Sequence, residues 1–381
     1  MKMSTTRIYK NAELFTEKGF VKGGFTVEGN VFGEVFQGDG PTGSSVDLGG
    51  ARVIPGLVDV HIHGAMNSDF SDGDPEGLRR MAACLAGRGV TSFAPASMTL
   101  PYEVLSKAFA VAREFYDHPE EGSARLMGIH MEGPFFSEKK KGAQNGAYLK
   151  LPDYEAFQEL YDGCGGLIRI VDVAPELEGA VAFTEKSSRI AMVSVAHTDA
   201  GYEDACSVFD AGAKHLTHLF NAMPPLAHRS PGVIGAASER EFVTAELICD
   251  GLHVHPSAVR AAFKLFPGRI CLISDALRCL GMPDGEYELG GQTVFLQGGV
   301  ARLADQTIAG AASDLYRDLQ NAVSFGIPEE EAILAATLTP AREIGREKEI
   351  GSIAGGKLAD FIICDRALDR KEVYIGGNKV E

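Results

Sequence analysis

Six residues that can bind a metal ion or move a proton stand at or near the ends of apolar runs in the sequence. They are His61 and His63 in LVDVHIH, Glu132 in RLMGIHME, His197 in IAMVSVAH, His218 in AKHLTHL and Asp275 in RICLISD. Imidazole and carboxylate ligands suit zinc, iron or a similar divalent ion, and a carboxylate beside the ion can transfer protons. Any one of these residues alone would mean little, but together they predict a single metal site.

The pair His61 and His63 is separated by one residue. Side chains alternate along a β-strand, so both imidazoles point to the same face and can present two nitrogen ligands to one ion. The alternative is that they are two ordinary buried polar residues. Their position at the end of the strand-like run favours metal binding.

Glu132, His197 and His218 supply one carboxylate and two imidazoles, a set that leaves coordination positions open for water. A carboxylate buried without a partner is costly, so Glu132 needs a cation, and a salt bridge to Lys or Arg is its alternative role. His197 alone could be a core histidine. His215 and His218 have opposite strand parity, so we expect at most one to face the interior, with His218 the better candidate.

Asp275 ends the run ICLISD and has no basic neighbour in the sequence. It is a candidate general base that takes a proton from a metal-activated water and passes it to a leaving group. The alternatives are a further metal ligand or a structural cap before a turn.

Eight apolar, β-branched runs carry these residues, and most are followed by an amphipathic stretch typical of a helix. The runs are residues 57–63, 90–97, 125–132, 167–173, 190–197, 213–219, 243–250 and 269–275. Near-continuous hydrophobic strands alternating with helices predict an α/β protein with a parallel sheet covered on both faces. Eight such units predict a (β/α)8 TIM-type barrel, whose active site lies at the carboxyl ends of the strands. A doubly wound open sheet is the alternative.

The two ends of the chain differ from this middle region. Residues 1–52 and 346–381 are short, Gly-punctuated and strand-like, and we expect them to pair into one small β domain beside a barrel formed by residues 53–345. Helices over residues 311–326 and 328–338 are expected to complete the barrel.

Composition limits the class of protein. The 52 acidic against 36 basic residues give a formal charge of −16, which disfavours nucleic acid and anionic membrane surfaces as partners. No apolar run is long enough to span a bilayer, and residues 1–10 lack the apolar core of a secretory signal. The seven cysteines are scattered and odd in number, as expected in a reducing compartment. We expect a cytoplasmic protein.

Longer motifs give the sequence a family resemblance. The segments VIPGLVDVHIHG, HMEGPFF, HLFNAMPP, DGLHV, LISDA and GGKLADFIICD occur in this order, and the chain resembles the N-acetylglucosamine-6-phosphate deacetylases of the amidohydrolase superfamily over nearly its whole length. The resemblance implies a barrel with a β-sandwich built from both termini. It also implies a constant ion on Glu132, His197 and His218, and a second ion on His61 and His63 bridged by Glu132, so that one or two ions are bound.

The resemblance further implies roles in catalysis and substrate binding. Metal-bound hydroxide would attack the acetyl carbonyl of the phosphosugar, and Asp275 would protonate the departing amine. His253 would contact the sugar and polarise the carbonyl. Arg229 would reach the phosphate from the other subunit of a homodimer. The remaining substrate-binding candidates are Ala143, Gln144, Asn221, Ala222, Ile308, Ala309 and Gly310.

Three positions depart from the family pattern. Gln144 stands where relatives commonly carry a sugar-contacting histidine, residues 277–280 are bulkier than usual, and Ala311 replaces a common serine. These departures leave open a deacylase for another N-acylated hexosamine phosphate. A cyclic-amide hydrolase of the same superfamily is a further alternative, although LIRIVDVAPE lacks the lysine such enzymes use. A catalytically silent phosphosugar-binding protein is the alternative outside the enzymes, although every proposed ligand and Asp275 are present.

Overall fold

A computed structural model describes residues 6–381, and five strands open its chain. Strands β1, β2 and β3 form an antiparallel meander, while β4 and β5 run parallel to β1. Buried aromatic rings fill one face of this sheet, including the stacked pair Tyr9 and Phe25. The bounds are β1 (Thr6–Thr16), β2 (Gly19–Glu28), β3 (Val31–Gln37), β4 (Ser45–Asp47) and β5 (Arg52–Pro55).

The middle of the chain contains parallel strands at the positions of all eight apolar runs, with the third run divided between β10 and β11. Their bounds are β6 (Leu57–Ile62), β9 (Val90–Pro95), β10 (Arg125–Leu126), β11 (Ile129–Met131), β12 (Ile168–Val173), β13 (Met192–Val195), β14 (His215–Leu216), β15 (Thr244–Ile248) and β16 (Ile270–Ile273). A two-residue hairpin, β7 (Gly64–Ala65) with β8 (Ser68–Asp69), follows the first of them.

The parallel strands form two adjoining sheets, β10-β9-β6 and β11-β12-β13-β14-β15-β16. Backbone hydrogen bonds join these sheets at both ends. The Ser97 N–H donates to the His130 carbonyl at 3.0 Å, and the Asp275 N–H donates to the His61 carbonyl at 2.9 Å. The strands therefore form one curled parallel sheet, and the predicted α/β class with a parallel sheet is confirmed.

Ten α-helices connect and cover the strands. They are α1 (Pro75–Gly87), α2 (Tyr102–Asp117), α3 (Tyr154–Gly163), α4 (Ala180–Ser187), α5 (Tyr202–Asp210), α6 (Gly232–Ser238), α7 (Pro256–Leu265), α8 (Leu315–Ser324), α9 (Glu329–Ala336) and α10 (Leu338–Glu343). Within residues 6–381, no helix combines the length and apolar character required to cross a bilayer.

The two last helical predictions were too long. Helix α8 begins only at Leu315, because the Asp314 side chain accepts the Arg317 N–H and caps it there. The second predicted helix divides at Thr337, whose φ of −132° and ψ of −77° leave helical geometry between α9 and α10.

An antiparallel sheet that we did not expect follows β16. Its strands are β17 (Gly285–Leu289), β18 (Gln292–Gln297), β19 (Val300–Leu303) and β20 (Ile308–Ala311). The pairs Gly290-Gly291 and Gly298-Gly299, all with positive φ, make its first two turns, as two-residue hairpins require. The backbone of Leu277 bonds to Ala311, so β20 is held against the carboxyl end of β16.

Three closing strands return to the opening sheet. They are β21 (Phe361–Cys364), β22 (Arg370–Ile375) and β23 (Asn378–Lys379). Strand β21 lies antiparallel to β5, with Ile362 opposite Ile54, and Phe361 joins the aromatic cluster around Phe25. Strands from both ends of the chain therefore share one eight-stranded sheet.

Candidate metal and acid–base centre

Glu132 lies at the centre of the site, directly after β11. Its Oε1 atom is 3.1 Å from His197 Nε2 and 3.2 Å from His218 Nε2, and those two nitrogens are 3.1 Å apart. All three side chains are buried. The structure therefore brings together one carboxylate oxygen and two imidazole nitrogens from three different strand ends, as the sequence predicted.

His61 and His63 approach the other side of the same carboxylate. His63 Nε2 lies 3.3 Å from Glu132 Oε2, and His61 Nε2 lies 3.5 Å from Glu132 Oε1. Asp275 Oδ1 is 3.3 Å from His63 Nε2 and 3.6 Å from His61 Nε2. The five predicted ligands and Asp275 thus form one continuous cluster, in which Glu132 belongs to both histidine pairs.

Three residues of the cluster have left-handed backbone conformations. The φ angles are 43° at His197, 30° at His218 and 50° at Asp275. Each residue follows the last residue of its strand by two positions, which is where the chain turns away from the sheet. Such conformations cost non-glycine residues about 1–3 kcal/mol each and are concentrated at functional sites. The rest of the fold must compensate for this strain.

The donor set fits a divalent cation. His61 Nε2 is buried and has no hydrogen-bond partner within residues 6–381, although it points at two carboxylates. The Nε2 atoms of His197 and His218 lie 3.1 Å apart and within 3.2 Å of Glu132 Oε1, so these three atoms are close enough together to bind one ion. Imidazole nitrogens with one shared carboxylate match the ligand preferences of zinc and neighbouring first-row ions.

Electrostatics in the cluster keep the central carboxylate ionised. Burial raises the pKa of Glu132, but His61 and the hydrogen-bonded His197 and His218 outweigh it and hold that pKa well below its usual value. Burial lowers the pKa of His63, but its contacts with Asp275 and Glu132 raise it well above the usual range. The site is therefore built around a permanent negative charge, which a cation neutralises.

A layer of buried polar residues beneath the ligands was missed in the sequence. Glu246 Oε2 lies 2.9 Å from His61 Nδ1 and accepts the backbone N–H of His218 at 3.1 Å. His130 lies 2.9 Å from Asp172. Burial raises the pKa of Glu246 to about 8. The signal was available, because Glu246 in VTAELICD and Asp172 in LIRIVDV are acids inside apolar strands.

The parity argument for His215 and His218 was wrong. His215 Nε2 lies 3.9 Å from Glu246 and His218 Nε2 lies 3.2 Å from Glu132, so both buried side chains point toward interior carboxylates. Alternation fails because β14 ends at Leu216 and the positive φ of His218 turns its side chain inward. His215 contacts Ser194 Oγ at 3.0 Å and does not reach Glu132.

His253 has an orienting partner that the sequence reasoning did not assign. Its Nδ1 atom lies 2.7 Å from Asp250 Oδ2, and the Asp250 carboxylate also accepts the backbone N–H of His253. This bond fixes the imidazole and leaves Nε2 free of that partner. Asp250 and His253 are three residues apart in DGLHV, so both side chains lie on one tight turn after β15.

A cavity of about 410 Å³ opens onto the cluster. Its lining includes nearly all of the predicted site residues, namely His63, Glu132, Ala143, Gln144, His197, His218, Asn221, Ala222, His253, Asp275, Ile308, Ala309 and Gly310. Lys139 and Lys140 also contribute to the wall. The volume suits a small-molecule ligand.

Apart from the fully buried His61, two sequence predictions lie outside this cavity. Arg229 is exposed and is not part of the lining of its own subunit's cavity, so its contact with a substrate stays a prediction. Leu277 and Cys279 do not line the cavity either, because they pack with Met98 under the unexpected antiparallel sheet. The bulk after Asp275 therefore fills core space.

Gly310 shows how closely β20 approaches the centre. A Cβ atom at this position would lie 2.7 Å from the Leu277 side chain and 3.1 Å from the Asp275 carbonyl oxygen, and the residue has a φ of 153°. Only glycine fits this space and backbone conformation without strain. The cavity wall at residues 308–310 is consequently fixed against the segment that carries Asp275.

Comparison with known proteins gives consistent matches. An N-acetylglucosamine-6-phosphate deacetylase of Bacillus subtilis is 38% identical over 82% of this chain and 80% of its own length. An N-acetylgalactosamine-6-phosphate deacetylase of Escherichia coli O157:H7 is 34% identical over 85% of this chain and 86% of its own. A solved structure from Mycobacterium smegmatis, an Asp-to-Ala variant of N-acetyl-D-glucosamine-6-phosphate deacetylase in complex with N-acetyl-D-glucosamine-6-phosphate, superposes with a TM-score of 0.93 at 31% identity, covering 99% of both chains.

The family assignment rests on most of the chain. A sequence model described as "Amidohydrolase family" matches residues 52–380, which include every candidate ligand, Asp275 and the closing strands. The protein belongs to the amidohydrolase family.

Proposed function

We propose that this protein is a metal-dependent hydrolase that deacetylates N-acetyl-D-glucosamine 6-phosphate, giving D-glucosamine 6-phosphate and acetate. The observation that carries the proposal is the sharing of Glu132 by two histidine pairs, with Asp275 beside it, at the floor of a small-molecule cavity. The similarity to deacetylases of N-acetylated hexosamine 6-phosphates supports the choice of substrate.

Glu132, His197 and His218 would hold one divalent ion, and His61, His63 and Glu132 would hold a second. When bound, such an ion supplies Lewis acidity, lowering the pKa of a water molecule and polarising a carbonyl oxygen. The ion is zinc, iron or a similar metal in this proposal, with one or two ions per subunit.

Asp275 would transfer the proton. Its carboxylate adjoins the cluster through the His63 contact at 3.3 Å and also lines the cavity. It would take a proton from the attacking water and deliver it to the amide nitrogen as the C–N bond breaks, so that the amine leaves in neutral form. One residue thus acts as base and then as acid.

His253 would bind the acetyl carbonyl. The Asp250 contact at Nδ1 orients the imidazole, and a proton on Nε2 would then be donated to a carbonyl oxygen in the cavity. A fixed donor aimed at the oxygen stabilises the charge that develops on it during attack. Ile308, Ala309 and Gly310 would enclose the acetyl group.

Phosphate binding would involve Asn221, Ala222 and Arg229. The first two residues line the cavity, whereas Arg229 is exposed outside it. A guanidinium matches phosphate geometry. We therefore propose a homodimer in which each Arg229 completes the partner subunit's site.

The same proposal extends to architecture and location. We infer that the curled parallel sheet with its helices is a (β/α)8 barrel over residues 53–345. Residues 1–52 and 346–381 would form the β-sandwich, although residues 1–5 lie outside the described part of the chain. All seven cysteines are free thiols, which supports a reducing compartment, the cytoplasm.

Acetate release tests the proposal. The purified protein, with its metal content measured on the same sample, is assayed with the 6-phosphates of N-acetylglucosamine and N-acetylgalactosamine, with unphosphorylated N-acetylglucosamine and with a cyclic ureide. We expect the highest kcat/KM for N-acetylglucosamine 6-phosphate. A preference for N-acetylgalactosamine 6-phosphate would instead indicate an N-acetylgalactosamine-6-phosphate deacetylase. Equal rates with and without the 6-phosphate would contradict the proposed phosphate binding. Hydrolysis of the ureide alone would favour a cyclic-amide hydrolase. Binding of the phosphosugar without turnover would indicate a binding protein.

A further inference from the structure

Gln144 is buried between Thr99 and the central carboxylate. Its side chain is only 4% exposed. The Thr99 backbone N–H donates to Gln144 Oε1 at 2.7 Å, and Gln144 Nε2 donates to Glu132 Oε2 at 2.6 Å. The second distance is short, as expected of a hydrogen bond to a charged acceptor. Both ends of the Gln144 amide are therefore engaged by the protein itself.

The chemistry of the partners fixes the orientation of this amide. A backbone N–H can only donate, so the atom facing Thr99 must be the amide oxygen. An ionised carboxylate can only accept, so the atom facing Glu132 must be the amide nitrogen. Glutamate at position 144 would place an oxygen against Glu132, and methionine of similar size would offer neither bond. The arrangement needs the amide of glutamine.

Glu132 requires such a partner because its two oxygens face different ligands. Oε1 faces His197 and His218 at 3.1 and 3.2 Å and His61 at 3.5 Å, while Oε2 faces His63 at 3.3 Å. Rotation of the carboxylate about its terminal bond would move both oxygens away from these nitrogens. The Gln144 amide is a hydrogen-bond donor to Oε2 that comes from outside the histidine set, and it opposes that rotation.

We propose that Gln144 is a positioning residue for Glu132, which holds the carboxylate in the orientation that turns Oε1 toward His197 and His218 and Oε2 toward His63. Its main role is then to support metal binding rather than to contact the sugar. This inference rests on the proposed metal-dependent function. Hydrogen bonds that orient a metal ligand typically contribute a factor of ten to one hundred to metal affinity.

Measurements of metal affinity and substrate affinity distinguish a role of Gln144 in metal binding from a role in contacting the sugar. Apo protein and its Gln144→Met and Gln144→Glu variants are titrated with Zn²⁺ against a chromophoric chelator. Binding of D-glucosamine 6-phosphate and the KM for N-acetyl-D-glucosamine 6-phosphate are measured in parallel. We expect Gln144→Met to raise the Zn²⁺ Kd by about tenfold to a hundredfold, and Gln144→Glu, which adds a negative charge beside the ion, to raise it less than Gln144→Met does. The KM and the sugar-phosphate Kd are expected to change by less than twofold.

Gln292→Met is the matched control. Gln292 Nε2 donates to the Ala143 carbonyl at 2.5 Å, so this variant loosens the same loop without removing a donor to Glu132. Its Zn²⁺ affinity is expected to stay within twofold of the parent, and circular dichroism of each apo variant verifies folding. The proposal is overturned if Gln144→Met leaves Zn²⁺ affinity unchanged, whether or not KM rises, or if Gln292→Met weakens Zn²⁺ binding equally.

The outcome for the proposed function is separate. If the parent protein binds no divalent ion, the metal-dependent function fails first, and the role of Gln144 fails with it. If the parent and variants differ in Zn²⁺ affinity as expected but no acetate is released from any N-acetylated sugar phosphate, the positioning role stands and the proposed reaction is wrong.

Discussion

The amino and carboxyl ends of the parallel strands differ in the residues that surround them. At the amino ends, Val58, Ile170 and Cys271 pack with Ile344 in a fully apolar cluster. The carboxyl ends lie only a few residues further along the same strands. There, charged residues and residues with strained backbones surround an open cavity. Within five residues the chain passes from Cys271 in this apolar cluster, through the end of β16, to Asp275 beside the cavity. Each strand therefore contributes to stability through its amino end and to the chemistry of the site through its carboxyl end.

The largest expected effect is on catalysis, from a substitution at the carboxyl ends of the parallel strands. Asp275→Asn keeps the size of the side chain but removes its capacity to accept a proton, so kcat for acetate release is expected to fall about 10²- to 10⁴-fold. The free energy of unfolding should change little, since the strained backbone at residue 275 is retained. Steady-state kinetics and chemical denaturation check both expectations.

Asp204→Asn is the control for that change, because Asp204 is exposed on α5 and far from the cavity lining. Its kcat is expected to equal that of the parent. A near-normal rate for Asp275→Asn would exclude residue 275 as the proton-transfer group and would leave the carboxyl ends without an assigned base.

The amino ends should show the opposite pattern. Ile170→Ala removes three buried methyl and methylene groups from the apolar floor, and we expect a loss of about 2–4 kcal/mol in the free energy of unfolding. The kcat/KM of the folded variant should remain within about twofold of the parent. Urea denaturation gives the first quantity and an assay normalised to folded protein gives the second.

Leu151→Ala, at a side chain that is 56% exposed, makes a similar reduction in size outside the core. It should cost less than about 0.5 kcal/mol. If Ile170→Ala instead lowered kcat/KM strongly while leaving stability intact, the separation of the two ends would be wrong.

The smallest effect concerns a buried carboxyl group near the amino ends. Burial raises the pKa of Glu343 to about 7, although Thr244 and Arg342 lower it. Because this folded-state pKa exceeds the unfolded value near 4.5, the folded protein binds the proton more tightly. The free energy of unfolding should therefore fall as the pH rises from about 4.5 through 7.

Glu343→Gln should remove that dependence. We expect the variant to match the parent near pH 4 and to be more stable by about 1–3 kcal/mol at pH 8, measured by denaturation across the pH range. Glu185→Gln, an exposed change on α4, should shift stability equally at both pH values. A Glu343→Gln gain that is independent of pH would contradict a titration effect and point to packing alone.

Much of the parallel sheet could be predicted from the sequence because its strands are buried on both faces. The run at residues 57–63 appears as strand Leu57–Ile62, and residues 167–173 as Ile168–Val173. Such strands are mostly apolar, so the few polar residues in them and at their ends are conspicuous. This is why the order of residue types was enough to predict that Glu132 and Asp275 lie in one cluster with the histidines.

The rest depended on features that these runs do not contain. The sheet of β17 to β20 is exposed on one face and therefore lacks continuous apolar runs. Its double-glycine turns were nevertheless a usable hairpin signal. The inward turn of His218 arises from a positive φ after a two-residue strand, which alternation cannot anticipate. The partners of Gln144 and His253 come from tertiary contacts and from a local turn, respectively.

The pairing of β5 with β21 has a consequence for how the protein is made. Residue 54 is synthesised some three hundred residues before its neighbour at 362, so the edge of β5 faces solvent throughout translation of the intervening chain. Contacts between such distant residues form slowly and leave sheet edges open to wrong partners meanwhile. The last strands thus complete the sheet begun by the first, and a chain that ends before residue 361 leaves β5 without its neighbour on that side.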